Sequence, residues 1–134
     1  GSIDAWFYRT IAGIQADPEG PGFARFDLRP AVTPGLSSAR STLKTVRGDI
    51  VSNWHVAEGV FHFLVHIPVG SQARIFLPAA PGTPVLESEE LVWANERSVK
   101  NVPGIHSLHR REKQLICTAG SGVYRFQSTL PPRC

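Results

Sequence analysis

The sequence has 134 residues and a mass of 14.6 kDa, which is enough for one compact domain with a hydrophobic core. Hydrophobic residues make up 42% of it and charged residues 19%, and this balance excludes a disordered or fibrous chain. The formal net charge of +3 is mild, and no apolar run approaches the roughly 18 residues that a membrane span needs. We therefore expect a soluble protein without a membrane partner.

Residues 1–14 have the spacing of a short amphipathic helix. Ser2 is placed to cap its N-terminus and Gly13 to end it. A helix of this length is only marginally stable in isolation, and its broad aromatic stripe needs a surface to pack against. A homodimer formed through residues 3–14 is the simplest closed arrangement that would cover the stripe. The stripe consists of Ile3, Trp6, Phe7, Ile11 and Ile14.

The segment that follows predicts a linker and then a β domain. Residues 15–22 are rich in proline and glycine, and apolar and polar side chains alternate from residue 23 onwards. The clearest element is a hairpin closed at Glu58-Gly59, with one apolar face on each of its strands. The predicted core residues of the domain are Trp54, Phe61, Phe63, Val65, Ile67, Tyr124 and Phe126.

Shorter apolar runs separated by turns continue to residue 126. With 11 prolines and 12 glycines, the chain reads as nine or ten short strands and not as a helical bundle. This pattern predicts an all-β fold, an antiparallel β-sandwich of jelly-roll or Greek-key type over residues 23–128, with a tail at 129–134.

Acidic, histidine and cysteine side chains do not form a recognisable catalytic or metal motif. The eleven acids are scattered, whereas a glycosidase needs two carboxylates that converge across a cleft. His62 and His66 lie about 13 Å apart if they share an extended strand, too far for one metal ion. His106 and His109 are predicted at the surface, and Cys117 in an apolar run is predicted as a small buried residue. We expect no catalytic residue, no metal and no cofactor.

Positive charge is concentrated between Arg97 and Lys113, where five Lys or Arg accompany one Glu. Such a patch could meet phosphate or an acidic polysaccharide. No aromatic side chain is interleaved with these charges, as a single-strand nucleic-acid platform would require. We interpret the stretch as a solvated loop and expect no nucleic-acid partner.

Two tryptophans could stack on a sugar ring. Trp54 shares its predicted strand face with Ile50 and Val56, which favours a core position. Trp93 precedes polar residues and is expected to be partly exposed, so Trp93 is the better sugar-binding candidate.

Several stretches resemble the bacterial-type α-L-rhamnosidases, a family of glycoside hydrolases. The opening GSIDAWFYR at 1–9 and AGI at 12–14 are similar to the end of that family's catalytic helical barrel. The linker residues DPE at 17–19 and PGF at 21–23 lead towards its last domain. Four further segments resemble the strands of that domain: GDIVSNW at 48–54, GVF at 59–61, VHIP at 65–68 and GSGVYRF at 120–126.

The resemblance implies a multi-domain enzyme that removes terminal α-L-rhamnose with inversion. Its general acid and general base would lie in an (α/α)₆ barrel upstream of this chain, so no catalytic residue can be carried onto it. Residues 1–14 would be the last barrel helix, and the sandwich would pack on the barrel as an accessory domain. The enzyme could be cytoplasmic or exported.

Two other interpretations remain open at the sequence level. The chain could be a free-standing carbohydrate-binding module, which needs exposed aromatic side chains on one face, or a scaffold domain without a ligand. The unpartnered helix favours the barrel-fragment interpretation over both.

Overall fold

The structure is a computed structural model that describes residues 14–16, 25–30, 37–45 and 47–130. The described part is all-β, with twelve strands and no helix. The strands are β1 (Ile14–Ala16), β2 (Arg25–Leu28), β3 (Ser38–Thr45), β4 (Gly48–Ala57), β5 (Val60–Ile67), β6 (Gln72–Pro78), β7 (Val85–Glu87), β8 (Glu90–Ala94), β9 (Arg97–Ser98), β10 (Ile105–Arg111), β11 (Gln114–Ala119) and β12 (Gly122–Thr129).

The start of the described chain corrects one predicted boundary. Ile14, expected as the last helical residue, begins β1, and Gln15 and Ala16, expected in the linker, complete that strand. The physical reason is pairing: β1 lies antiparallel to β2, with Ile14 opposite Leu28. The rest of the predicted helix lies outside the described residues, so the homodimer through residues 3–14 stays a prediction.

The strands form two sheets. One has five strands in the order β1-β2-β6-β11-β10, and the other has seven in the order β3-β4-β5-β12-β7-β8-β9. All pairs are antiparallel except β2 with β6, which run parallel. The chain changes sheet between β2 and β3, β5 and β6, β6 and β7, β9 and β10, and β11 and β12. Strands β5 and β12 lie in the seven-stranded sheet, and β6 and β11 lie in the five-stranded sheet. These four strands pair as β5 with β12 and β6 with β11.

Both sheets contribute to one hydrophobic core. Along β5 and β12 every second side chain is buried in this core, as the period of two requires. All seven residues expected in the core are buried there. The larger buried members of the cluster are Phe26, Leu28, Ile50, Trp54, Phe61, Phe63, Val65, Ile67, Ile75, Leu77, Val85, Val92, Trp93, Leu115, Tyr124 and Phe126.

Hairpin turns connect neighbouring strands through residues with positive φ. Glu58 and Gly59 have φ of 53° and 79°, the backbone of a two-residue turn that follows the twist of its strands. Ser88-Glu89 and Asn95-Glu96 adopt the same left-handed conformation between β7 and β8 and between β8 and β9. These two turns contain no glycine, so the sequence did not predict them as hairpins.

The basic stretch between Arg97 and Lys113 is not one loop. It contains β9 and the whole of β10, which pairs with β11 along its length. The interpretation as one loop is wrong, although the short apolar run at Ile105-His106-Ser107-Leu108 indicates the first part of β10. Arg and His hide the alternation in the rest of this edge strand. No helix among the described residues is long and apolar enough to cross a membrane.

Candidate functional site

Trp93 does not present its ring to solvent. Its side chain is 4% exposed and belongs to the core cluster. The indole N–H donates to Glu96 Oε2 at 3.1 Å, and Arg110 holds the same carboxylate with two hydrogen bonds of 3.0 and 3.2 Å. Hydrogen bonds from Arg110 and then Trp93 hold the pKa of Glu96 below its usual range. The expected partial exposure of Trp93 is therefore wrong, because the Glu96–Arg110 pair fixes its ring inside.

The other residues considered for chemistry lie apart from one another. His106 and His109 are exposed on β10. Cys117 is buried, and desolvation followed by the charge of Glu87 raises the pKa of its thiol to about 12. Glu87 is itself buried and accepts hydrogen bonds from Ser88 Oγ and the Arg125 backbone N–H, which ties β7 to β12. In the described part of the chain, no group of three His, Cys, Asp or Glu side chains could hold a metal.

Polar side chains do converge on the outer face of the seven-stranded sheet. Two registered rows cross strands β3, β4, β5 and β12 on the side opposite the core. The first row is Ser38, His55, His62 and Gln127; the second is Arg40, Asn53, Leu64 and Arg125. We call these eight residues the basic face. They line a hollow of about 520 Å³.

The centre of the first row is a pair of stacked imidazoles. His55 and His62 are directly opposed on β4 and β5, with ring centroids 4.5 Å apart and planes inclined by 6°. Desolvation, with a smaller contribution from the charge of His55, lowers the pKa of His62 below 6.5. His62 is therefore mostly neutral at pH 7 and gains positive charge only in acid.

The second row carries two guanidinium groups around an apolar centre. Arg40 and Arg125 are exposed at its ends, and neither makes an ion pair with another described residue. Between them lie Asn53, whose Oδ1 accepts the Ser41 backbone N–H at 3.2 Å, and the half-buried Leu64. Among the described residues, no carboxylate lines the hollow. The basic face thus combines fixed positive charge, amide and imidazole hydrogen-bonding groups and one apolar side chain.

The outer face of the five-stranded sheet has a different character. Phe76 and Ile116 are paired across β6 and β11 on the side away from the core, and yet they are only 1% and 4% exposed. The Arg29 guanidinium lies 3.8 Å from the centre of the Phe76 ring, and His109 is paired with Ile116 on the other side. We call these four residues the Phe76–Ile116 row. Further along the same face, Arg74 forms a two-bond ion pair with Asp27 at 2.8 and 2.9 Å.

Comparison with known proteins decides the family. Residues 13–91, more than half of the chain, match the family described as the bacterial alpha-L-rhamnosidase C-terminal domain. The chain belongs to this family.

Relatives of this C-terminal domain are much longer proteins. An alpha-L-rhamnosidase of Formosa agariphila is 24% identical over 128 residues, which are 96% of this chain and 13% of the relative. One from Alteromonas sp. is 33% identical over 79 residues, 59% of this chain and 8% of the relative. The chain thus corresponds to about a tenth of the length of the curated relatives it matches.

Solved structures agree with the fold of this C-terminal domain. The alpha-L-rhamnosidase from Dictyoglumus thermophilum superposes with a TM-score of 0.78 at 28% identity, covering 94% of this chain and 13% of that one. The enzyme from Streptomyces avermitilis, solved with L-rhamnose, gives 0.73 at 23% identity over 96% of this chain and 11% of that one. The similarity to the Streptomyces avermitilis enzyme is evidence for the fold alone.

The residues of the basic face were mostly missed by sequence reasoning. Period-two alternation placed His62 and His66 outward, and it would equally have placed Asn53, Leu64 and Arg125 outward. What the alternation could not give is the pairing of β5 with β12, which are separated by more than fifty residues. Without that pairing, Arg125 has no recognisable relation to His62 or Arg40.

Proposed function

We propose that this chain is a non-catalytic C-terminal domain of an α-L-rhamnosidase, which hydrolyses terminal α-L-rhamnose from glycosides with catalytic residues upstream of this chain. We further propose that it docks on the upstream catalytic part of the same polypeptide through the Phe76–Ile116 row. The lengths of its relatives support a domain of a larger protein. The fold of the domain is proposed to be of jelly-roll type. The pairing of β5 with β12 in one sheet and of β6 with β11 in the other supports this type.

The observation that carries the docking proposal is the place where the chain enters the fold, next to the outer face of the five-stranded sheet. Phe76 and Ile116 on this face are only 1% and 4% exposed, so they are already covered within this chain. Apolar side chains on an outer sheet face are normally covered only where another element or domain packs. Ile14 is paired with Leu28, one residue from Arg29, so the chain enters the five-stranded sheet beside this row. An upstream domain is therefore tethered beside this face, where it would pack over the exposed His109 at the end of the row.

The chemistry of the described carboxylates supports a non-catalytic role. Glycoside hydrolysis requires an acid and a base or nucleophile that face each other across the scissile bond. Here Asp27 is engaged by Arg74 and Arg29, and Glu96 by Arg110 and Trp93. These carboxylates hold side chains and strands in place and do not face each other across a cleft.

Cysteine labelling of the full-length polypeptide and of the 134-residue chain tests the docking surface. Each protein carries Cys134→Ser and one introduced thiol. One variant is His109→Cys, in the Phe76–Ile116 row, and its matched control is Val123→Cys, 52% exposed on the outer face of the other sheet. Cys117 stays unlabelled because it is buried and its thiol pKa is raised to about 12. Peptide mass spectrometry reads each site separately from other cysteines.

We expect labelling at position 109 to be several-fold slower in the full-length polypeptide than in the isolated chain, because the docked domain covers it. Labelling at position 123 should proceed at the same rate in both. Equal rates at position 109, or protection at position 123 instead, would show that the Phe76–Ile116 row is not the docking surface.

A further inference from the structure

The basic face is a surface whose charge the fold itself does not use. Among the described residues, Arg40 and Arg125 have no carboxylate partner, whereas Arg29, Arg74 and Arg110 each hold one. The carboxylate on the same outer face of β4, Asp49, lies at the far end of the strand, opposite Lys44. An anionic group placed in the hollow would therefore meet positive charge without facing a nearby acid.

The spacing of the two guanidinium groups suits a ligand of about one sugar ring. Arg40 and Arg125 occupy the ends of one row that crosses four adjacent strands, so their backbones are roughly 14 Å apart at about 4.8 Å per strand. Both side chains are long enough to lean inward, which leaves between them a gap of the order of one pyranose ring. Guanidinium groups bind carboxylate and sulfate oxygens through paired hydrogen bonds.

The floor of the hollow suits a sugar better than a simple anion. Leu64 offers an apolar contact for the C–H face of a ring, half-buried between Asn53 and Arg125. Asn53 uses its Oδ1 within the sheet, which leaves its amide NH₂ free to donate. Gln127 and the stacked histidines beside this row can both donate to and accept from hydroxyl groups.

We propose that the basic face binds an anionic sugar residue, one that carries a carboxylate or a sulfate. One of the two guanidinium groups, of Arg40 or Arg125, binds the anionic group, the other donates to hydroxyl groups across the ring, and Leu64 supports the ring. A single-stranded nucleic acid fits less well, because the aromatic residues of these strands, Trp54 and Phe126 among them, are turned into the core. The site lies on the opposite sheet from the Phe76–Ile116 row and is independent of the docking proposal.

The test uses three small sugars and the 134-residue chain. Methyl β-D-glucuronide and methyl β-D-glucoside differ only in the C6 carboxylate, and glucose 6-sulfate carries the alternative anion. Binding is followed by amide chemical shifts in ¹H–¹⁵N spectra. The double variant Arg40→Gln/Arg125→Gln removes both guanidinium groups, and Arg111→Gln, exposed on β10 of the other sheet, is the control for a single charge lost away from the hollow.

We expect saturable shifts at Asn53, Leu64 and Arg125 with the glucuronide or the sulfate and none with the glucoside. The dissociation constant should rise about tenfold or more in the double variant and stay unchanged in Arg111→Gln. Saturation with the carboxylate alone or the sulfate alone identifies the anion that the site takes. Equal binding of the glucoside, equal weakening by Arg111→Gln, or no saturable shift with either anion would overturn the proposal.

Discussion

Trp54 is almost completely buried, and its indole N–H has no hydrogen-bond partner in the described structure. Its ring packs on Phe61 at 5.7 Å between ring centroids, across β4 and β5. The packing of the Trp54 ring therefore stabilises the fold, and its unpaired N–H reduces this stabilisation.

We predict that Trp54→Ala lowers the free energy of unfolding by about 3–5 kcal/mol, as for other buried aromatic side chains. Trp54→Phe should cost less than half as much, because it keeps a ring in the core and removes the unpaired N–H. Urea unfolding measures both. A Trp54→Ala protein with wild-type stability would mean that the ring is exposed and open to a sugar.

The stacked histidines make stability depend on pH in a defined direction. His62 has a folded-state pKa below 6.5, whereas the unfolded chain takes up this proton near 6.5. As pH falls, the unfolded state therefore binds more protons than the folded state. The stability associated with neutral His62 is complete above pH 6.5 and is lost as pH drops through the folded pKa.

We predict that the free energy of unfolding declines between about pH 7.5 and 5.5, and that His62→Gln reduces this decline. His55→Gln should reduce it only in part, since desolvation is the larger cause of the shift and His55 the smaller. Urea unfolding across this range measures the slopes, with His109→Gln on the other sheet as the control. A steeper decline in His62→Gln than in the wild type would mean that protonation of His62 favours the folded state, the opposite of this expectation.

At the scale of elements, the loop that precedes β10 packs against Tyr124 of β12. Gly104 has a φ of 93°, and a Cβ there would overlap the Tyr124 hydroxyl. That hydroxyl donates to the Gly120 carbonyl at 2.9 Å, and the Gly120 N–H donates to the Gly104 carbonyl at 2.8 Å. The loop, the turn and β12 are thus held together around one tyrosine.

We predict that Gly104→Ala destabilises the domain by about 2–4 kcal/mol, from positive φ and overlap together. Gly82→Ala is the matched control, with φ of 79° and open space around the added carbon, and should cost about 1 kcal/mol. Tyr124→Phe should recover part of the Gly104→Ala loss, because it removes the overlapping atom. If thermal unfolding shows the same loss of stability in both glycine variants, the overlap with the Tyr124 hydroxyl does not contribute.

How far the sequence predicts these elements depends on how local their signals are. The hairpin at Glu58-Gly59 is predictable, because a turn glycine separates two alternating runs. The turns Ser88-Glu89 and Asn95-Glu96 carry no such signal. The apolar run at 105–108 indicates only the first part of β10, because polar residues hide the rest. The sheet order depends on contacts between distant strands, so neither the basic face nor the Glu96–Arg110 pair that holds the Trp93 indole could be predicted.

At the scale of the whole molecule, the two sheets differ in what their outer faces offer. The five-stranded sheet carries buried apolar side chains beside the point where the chain enters, and the seven-stranded sheet carries unpaired positive charge around a hollow. In the proposed enzyme, one face fixes the domain to the catalytic part and the other remains available to an anionic sugar.

The most direct measurement of the proposed non-catalytic role is the hydrolysis of 4-nitrophenyl α-L-rhamnopyranoside by the 134-residue chain and by the full-length polypeptide in the same assay. We predict turnover by the full-length protein and none above the buffer blank by the chain. Hydrolysis needs an acid and a base that converge on the scissile bond, whereas Asp27, Glu87 and Glu96 are engaged in hydrogen bonds within the fold. Turnover by the chain that is abolished by replacing any single Asp or Glu within it would contradict this role.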